Sequence, residues 1–219
     1  MAWNAKPSGG YSINSTEGIE NEIEYYNYFI NDATRECVIG MLCNICSESG
    51  FNPWRWQSDS VNLSGGYGLY QYTPASSYIN LSGITGHSPN MSTSTIDGGN
   101  ISDAQAQMYV FKNDILSKWN NTCWRSYWST SDYPDLYAIR TVILNTYGSN
   151  GHLSMQEFFT IDNAEYATFA FMACFEGPAI PNYSNRIGYI TDLDNNLPNQ
   201  PSEDDWLYAL LYKYQIQRR

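Results

Sequence analysis

Between Cys37 and Gly50 the chain commits to a helix whose apolar stripe ends on a carboxylate. Cys37, Val38, Met41, Leu42 and Ile45 recur at helical spacing. Taking about 100° per residue with Met41 as zero, Ile45 falls near about 40°, Cys37 near about −40° and Glu48 near about −20°. Glu48 therefore belongs to the buried stripe, and Gly50 is the residue type that ends helices in the left-handed conformation. Burial disfavours the charged form of a carboxylate, and a general acid working near neutral pH needs that property. A helix-end Glu bonded to a neighbouring loop would present the same spacing.

The residues that follow are a turn, Asn52-Pro53, and then a segment rich in Gly65, Gly66 and Gly68 without helical period. Residues 54 to 72 read as a small β-hairpin or irregular sheet that walls a cleft, with glycines allowing close approach of a ligand. If the segment is a regular strand, Tyr67 and Gln71 share one face and Tyr72 the other, which ranks Tyr67 above Tyr72 as a cleft residue.

Glu48-Ser49-Gly50-Phe51-Asn52-Pro53 and Gly66-Tyr67-Gly68-Leu69-Tyr70-Gln71 together resemble the phage tail lysozyme family, within the lysozyme-like superfamily. The same motifs are similar to signatures of soluble lytic transglycosylases, with Tyr70 in place of the usual Met. A weaker likeness reaches Phe175-Glu176-Gly177-Pro178 and Arg186. The resemblance implies a mainly helical α+β, lysozyme-like fold over residues 14–191, with Glu48 donating a proton to the leaving oxygen of a glycosidic bond. It implies a glycosidase of the phage tail, cutting the β-1,4 link between N-acetylmuramic acid and N-acetylglucosamine as the phage penetrates the wall. Peptidoglycan glycan strands and other tail proteins are the implied partners.

Glycoside cleavage needs an acid and a way to satisfy the developing oxocarbenium charge. Asp59 lies where two-acid lysozymes place their second carboxylate. It is either a base for water, a stabiliser of the cation, or a solvated loop residue. A Gln at position 71 offers both donor and acceptor to an acetamido group. Tyr67 and Tyr72 are candidates for stacking on sugar or bonding Glu48, while Trp54 and Trp56 form either a sugar platform or core. Glu176 either lines the cleft or pairs with Arg186, and the structural pair is favoured. Two alternatives stay open: a lytic transglycosylase leaving a 1,6-anhydro ring, and a non-catalytic structural or sugar-binding tail-tip protein.

Composition narrows the rivals. A net charge of −11 argues against a nucleic-acid partner. It also opposes free diffusion to an anionic wall, whereas attachment to a particle replaces that search. Only two His, 87 and 152, are present, too few for the usual ligand set of a zinc amidase. No metal or cofactor is expected. Five Cys, an odd number, do not suggest a disulfide framework, and Cys43 and Cys46 read as buried thiols on a helix. No apolar run is long enough to span a membrane, and MAWNAKPSGG lacks the regions of a secretory signal peptide.

Along the rest of the chain, residues 1–13 read as an extended arm. Asn14 with Glu17 is a candidate capping box for a helix to about Asn31. Asp32 is a candidate cap for the next helix. Thr73 is expected to cap a helix with Pro74 at its first position. A polar loop over 82–100 precedes a helix from Ser102 to Lys118, and helices are expected at 134–146, 154–160, 163–176 and 182–190. Residues 192–219 read as a linker and a last helix that either folds back or docks on another subunit.

Overall fold

A computed structural model describes residues 3–81 and 103–198. The expected polar loop and the C-terminal helix lie outside the described residues. The helices are α1 (Thr16–Phe29), α2 (Arg35–Ser49), α3 (Ala75–Ile79), α4 (Asp103–Lys112), α5 (Pro134–Thr146), α6 (Met155–Phe158), α7 (Ala164–Phe171), α8 (Tyr183–Ile187) and α9 (Ile190–Asn196). The fold is mainly helical. No helix among the described residues is long and apolar enough to cross a membrane.

Capping explains most boundaries. Ser15, not Asn14, caps α1: its side chain accepts from Gly18 N, and a glycine at that position cannot reach back to close a capping box. Thr34 caps α2 in place of Asp32, accepting from Cys37 N at 3.0 Å. Ser154 and Glu157 do form the reciprocal box that opens α6. Pro134 sits in the first turn of α5, where its missing N–H costs nothing. Pro74 stands one residue ahead of α3, not inside it.

Helix α2 is the axis of the molecule. Its residues from Cys37 to Ile45 are all buried, so the apolar stripe read from spacing is part of a helix enclosed on every side. It packs along α7 at close range, because a Cβ on Gly40 would fall 2.5 Å from the Ala167 side chain. At that contact Asn44 Nδ2 donates to Gly40 O at 2.8 Å and to Thr168 O at 3.1 Å. A polar side chain is thereby satisfied between two helices.

Beneath the cleft lies an aromatic cluster. Tyr70 packs 5.3 Å from Phe111 and 5.5 Å from Phe175, and Phe111 lies 4.8 Å from Phe175, measured between ring centroids. The Tyr70 hydroxyl meets that of Tyr25 at 2.9 Å, so the residue standing where Met is usual fills core space and keeps its polar tip bonded.

Residues 54–72 form no sheet among the described residues. One isolated antiparallel bridge joins Trp56 and Tyr67. Pairing extends no further than the flanking bonds Gln57 N to Gly66 O at 2.9 Å and Gly68 N to Arg55 O at 2.8 Å, because Gly68 (φ 81°) and Gln71 (φ 45°) leave the extended region. Tyr67 and Tyr72 then exchange backbone bonds, Tyr67 N to Tyr72 O at 3.3 Å and Tyr72 N to Tyr67 O at 2.9 Å.

Both ends of the described chain fasten to this body. In the arm, Trp3 is buried, Asn4 N donates to Asn21 Oδ1 at 2.7 Å, and Asn52 Nδ2 donates to Lys6 O and Gly9 O. Asp192 to Asn196, read above as linker, are helical, with Leu193 buried. A disulfide joins Cys123 to Cys174, against the sequence expectation, while Cys37, Cys43 and Cys46 are free.

Candidate active site

Three elements converge on one arginine. Glu48 lies in the last turn of α2, which Gly50 ends in the left-handed region. Helix α7 continues into a single π turn, Met172–Glu176, and Gly177 N donates to Met172 O at 2.8 Å to close it. Such turns insert a residue and re-aim the chain; here the turn ends on Glu176, whose carboxyl the structure brings to Arg186. Arg186 comes from the short helix α8 and is 3% exposed. Its Nη2 donates to Glu48 Oε1 at 2.7 Å, and its Nη1 donates to Asn44 Oδ1 at 2.9 Å and stands 2.7 Å from Glu176 Oε2. Asn44, fixed by the α2–α7 contact, therefore also orients the guanidinium.

The two carboxyls differ in their access to water. The side chain of Glu48 is 27% exposed and that of Glu176 only 5%. The dehydration expected for Glu48 thus falls on its neighbour. Burial holds Glu176 well above the usual carboxylate range; Arg186 opposes the shift and the charge of Glu48 reinforces it. The pair with Arg186 does not outweigh desolvation.

A cleft of about 400 Å³ opens over these groups. Glu48, Glu176, Gln71, Tyr72, Tyr70, Arg55, Ser58 and Lys118 are among the residues that line it. Gln71 Nε2 donates to Arg55 O and Gly68 O, each at 3.0 Å. Two carbonyls consume both amide protons, leaving Oε1 as the group that can meet a ligand.

Other candidates stand elsewhere. Tyr67 is fully buried and its hydroxyl donates to Asp103 Oδ2 at 2.6 Å, so it lies behind the wall and Tyr72 forms the wall itself. That reverses the ranking drawn from strand alternation, which the positive φ angles destroy. The Tyr72 hydroxyl is given to Gln107 O at 3.0 Å and is not turned toward Glu48. Trp54 and Trp56 are core residues, 1% and 0% exposed, not a sugar platform. Asp59 faces the arm: its Oδ1 accepts from Gly9 N at 2.7 Å and lies 3.2 Å from Arg55 Nε.

Sequence reasoning missed Lys118, Arg55 and the second partner of Arg186. The Arg186–Glu176 pair was legible in the late motif, but its extension to Glu48 was not, because nothing local in α2 marks an acceptor for a residue 138 positions away.

Residues 20–191 match the phage tail lysozyme family. This chain belongs to that family. Over 48 residues it is 48% identical to morphogenesis protein 1 of Bacillus phage B103, a stretch that is 22% of this chain and 13% of that protein.

Proposed function

We propose that this protein is a peptidoglycan-cleaving glycosidase of a phage tail, cutting the β-1,4 bond between N-acetylmuramic acid and N-acetylglucosamine with Glu48 as general acid. The observation that carries the reading is the position of Glu48: a partly exposed carboxyl in a cleft floor, with one oxygen fixed by Arg186 and the side chain still open to substrate. Family membership supports the substrate class and the setting in a phage particle, where attachment offsets the chain's negative charge.

In this reading Glu48 protonates the leaving oxygen, and Gln71 Oε1 accepts from the acetamido N–H of the bound sugar. Asp59 is ill placed as a base, with its carboxylate engaged by Gly9 and Arg55. Glu176 is the carboxyl beside Glu48, and its role is to set the charge around the acid through their shared arginine. Among the described residues the cleft lining holds no solvated second carboxylate, and cleavage through the substrate's own 6-hydroxyl, as in a lytic transglycosylase, is the second reading.

Digestion of purified wall followed by mass spectrometry tests both. Reducing muramic acid marks hydrolysis and a 1,6-anhydro ring marks transglycosylation. Glu48→Gln is expected to stop product formation of either kind, and wall cleared equally by both proteins would refute the assignment of Glu48. Clearing by neither would favour a non-catalytic tail protein.

A further inference from the structure

The cleft carries positive charge that its acids do not consume. Arg186 is engaged by Glu48 and Glu176, and Arg55 lies 3.2 Å from Asp59. Lys118 lines the same cleft, yet among the described residues it forms no ion pair. Its Nζ donates to Thr73 O at 2.9 Å and lies 5.7 Å from the Tyr72 ring centroid. Behind it is Arg125, whose Nε and Nη2 are buried without an acceptor. Arg125 lies against the turn after Glu176, where a Cβ on Gly177 would fall 2.4 Å from its Nε. Tyr127 Oη and Trp128 Nε1 hold the same segment by donating to Gly177 O and Pro178 O, the former at 2.5 Å and the latter at 2.9 Å.

We propose that Lys118, backed by Arg125, is a subsite for an anionic group carried by the glycan strand, either a carboxylate of the attached peptide or a phosphodiester of a linked teichoic acid. The proposal rests on the reading that the cleft binds peptidoglycan. Two cations close enough to repel one another lie beside a cleft, and although the charge of Glu176 reaches Arg125, neither cation forms an ion pair among the described residues, in a chain of net charge −11. Burial and Arg125 both lower the affinity of Lys118 for its proton, and an incoming anion reverses both effects. A partly buried ammonium is also screened less by salt than one on the surface.

Binding can be read apart from cleavage by using Glu48→Gln protein and cosedimentation with sacculi. Four preparations serve: native sacculi, sacculi stripped of teichoic acid by hydrofluoric acid, sacculi with peptide carboxyls amidated, and sacculi given both treatments. Adding Lys118→Gln is expected to weaken binding to native sacculi about tenfold, the worth of one charge-assisted bond, and Lys118→Arg should restore most of it. Loss of the Lys118 effect on amidated walls would assign a carboxylate, and loss on stripped walls a phosphodiester. An effect that persists unchanged on sacculi given both treatments, or native binding that changes less than twofold, would overturn the proposal. If wild-type protein cuts no wall while Lys118 still governs binding, the glycosidase reading fails and the anion subsite stands.

Discussion

Arg186 Nη2 stands 2.7 Å from Glu48 Oε1. The same guanidinium is 2.7 Å from Glu176 and bonds Asn44, so one buried cation serves two carboxyls and an amide. Removing one partner of such a group leaves the others dehydrated and unpaired, which is where the cost of breaking buried ion pairs arises.

Arg186→Met is accordingly expected to destabilise the fold by about 3–5 kcal/mol. Arg186→Lys should recover part of that, since a single ammonium cannot reproduce the planar fork. Urea unfolding followed by tryptophan fluorescence measures both, and a loss below about 1 kcal/mol for the Met variant would contradict the buried network.

Three buried carboxyls give stability a pH dependence of defined sign. Burial pushes Glu22 and Asp103 up to about 7 and raises Glu176 as well, whereas the unfolded chain titrates these groups in the ordinary carboxylate range. Between the two ranges the folded state binds more protons than the unfolded one. Their contribution is therefore complete below the unfolded values and is lost as pH rises through the folded values. Unfolding free energy should fall between about pH 5 and about pH 8.5, and Glu176→Gln should flatten that fall. A stability that climbs across this window would contradict the burial of these groups.

Gly68→Ala should damage the cleft wall from behind. At φ 81° an added Cβ would fall 2.2 Å from Gln107 Oε1, the group that accepts from Leu69 N at 2.6 Å. Left-handed strain alone is worth about 1–2 kcal/mol. Displacing Gln107 adds to this, because its Nε2 also holds Pro53 O at 2.8 Å. We expect lower thermal stability and weaker glycan binding together, measured by calorimetry and cosedimentation.

Gln71→Glu replaces two donated protons with an acceptor facing two carbonyls. The loss expected is about 1–3 kcal/mol of stability at the turn. Gln71→Met leaves the carbonyls unpaired and also removes the acceptor Oε1, so it is expected to weaken glycan binding, and wild-type binding by Gln71→Met would show that the amide does not orient substrate.

The parts of this protein that were legible in its sequence are those fixed by local chemistry. Pro134 at the start of α5, the Ser154–Glu157 box and the end of α2 at Gly50 each depend on residues a few positions apart. The place of Glu48 in the last turn of α2 was legible because helix period and a helix stop fall within one short segment. The exchange of Tyr67 for Tyr72 was not, because it turns on a positive φ at Gln71, a residue type without that preference. The π turn before Glu176, the Cys123–Cys174 bond and the place of Lys118 are all decided by tertiary packing. The surroundings of Asp59 were hidden for a related reason: its position along the chain suited a second acid or a solvated loop residue, and only the returning arm brings Gly9 N to its carboxylate.

The close contact of Gly40 with Ala167 has a consequence at the far end of both helices. Gly40 precedes Glu48 by eight residues and Ala167 precedes Glu176 by nine, so each carboxyl sits on a rigid arm of about 12–14 Å measured from a common fulcrum. A single methyl added at the fulcrum would open the gauge between the two acids without touching either. The spacing of the two carboxyls is thus calibrated deep in the core, by the absence of a side chain.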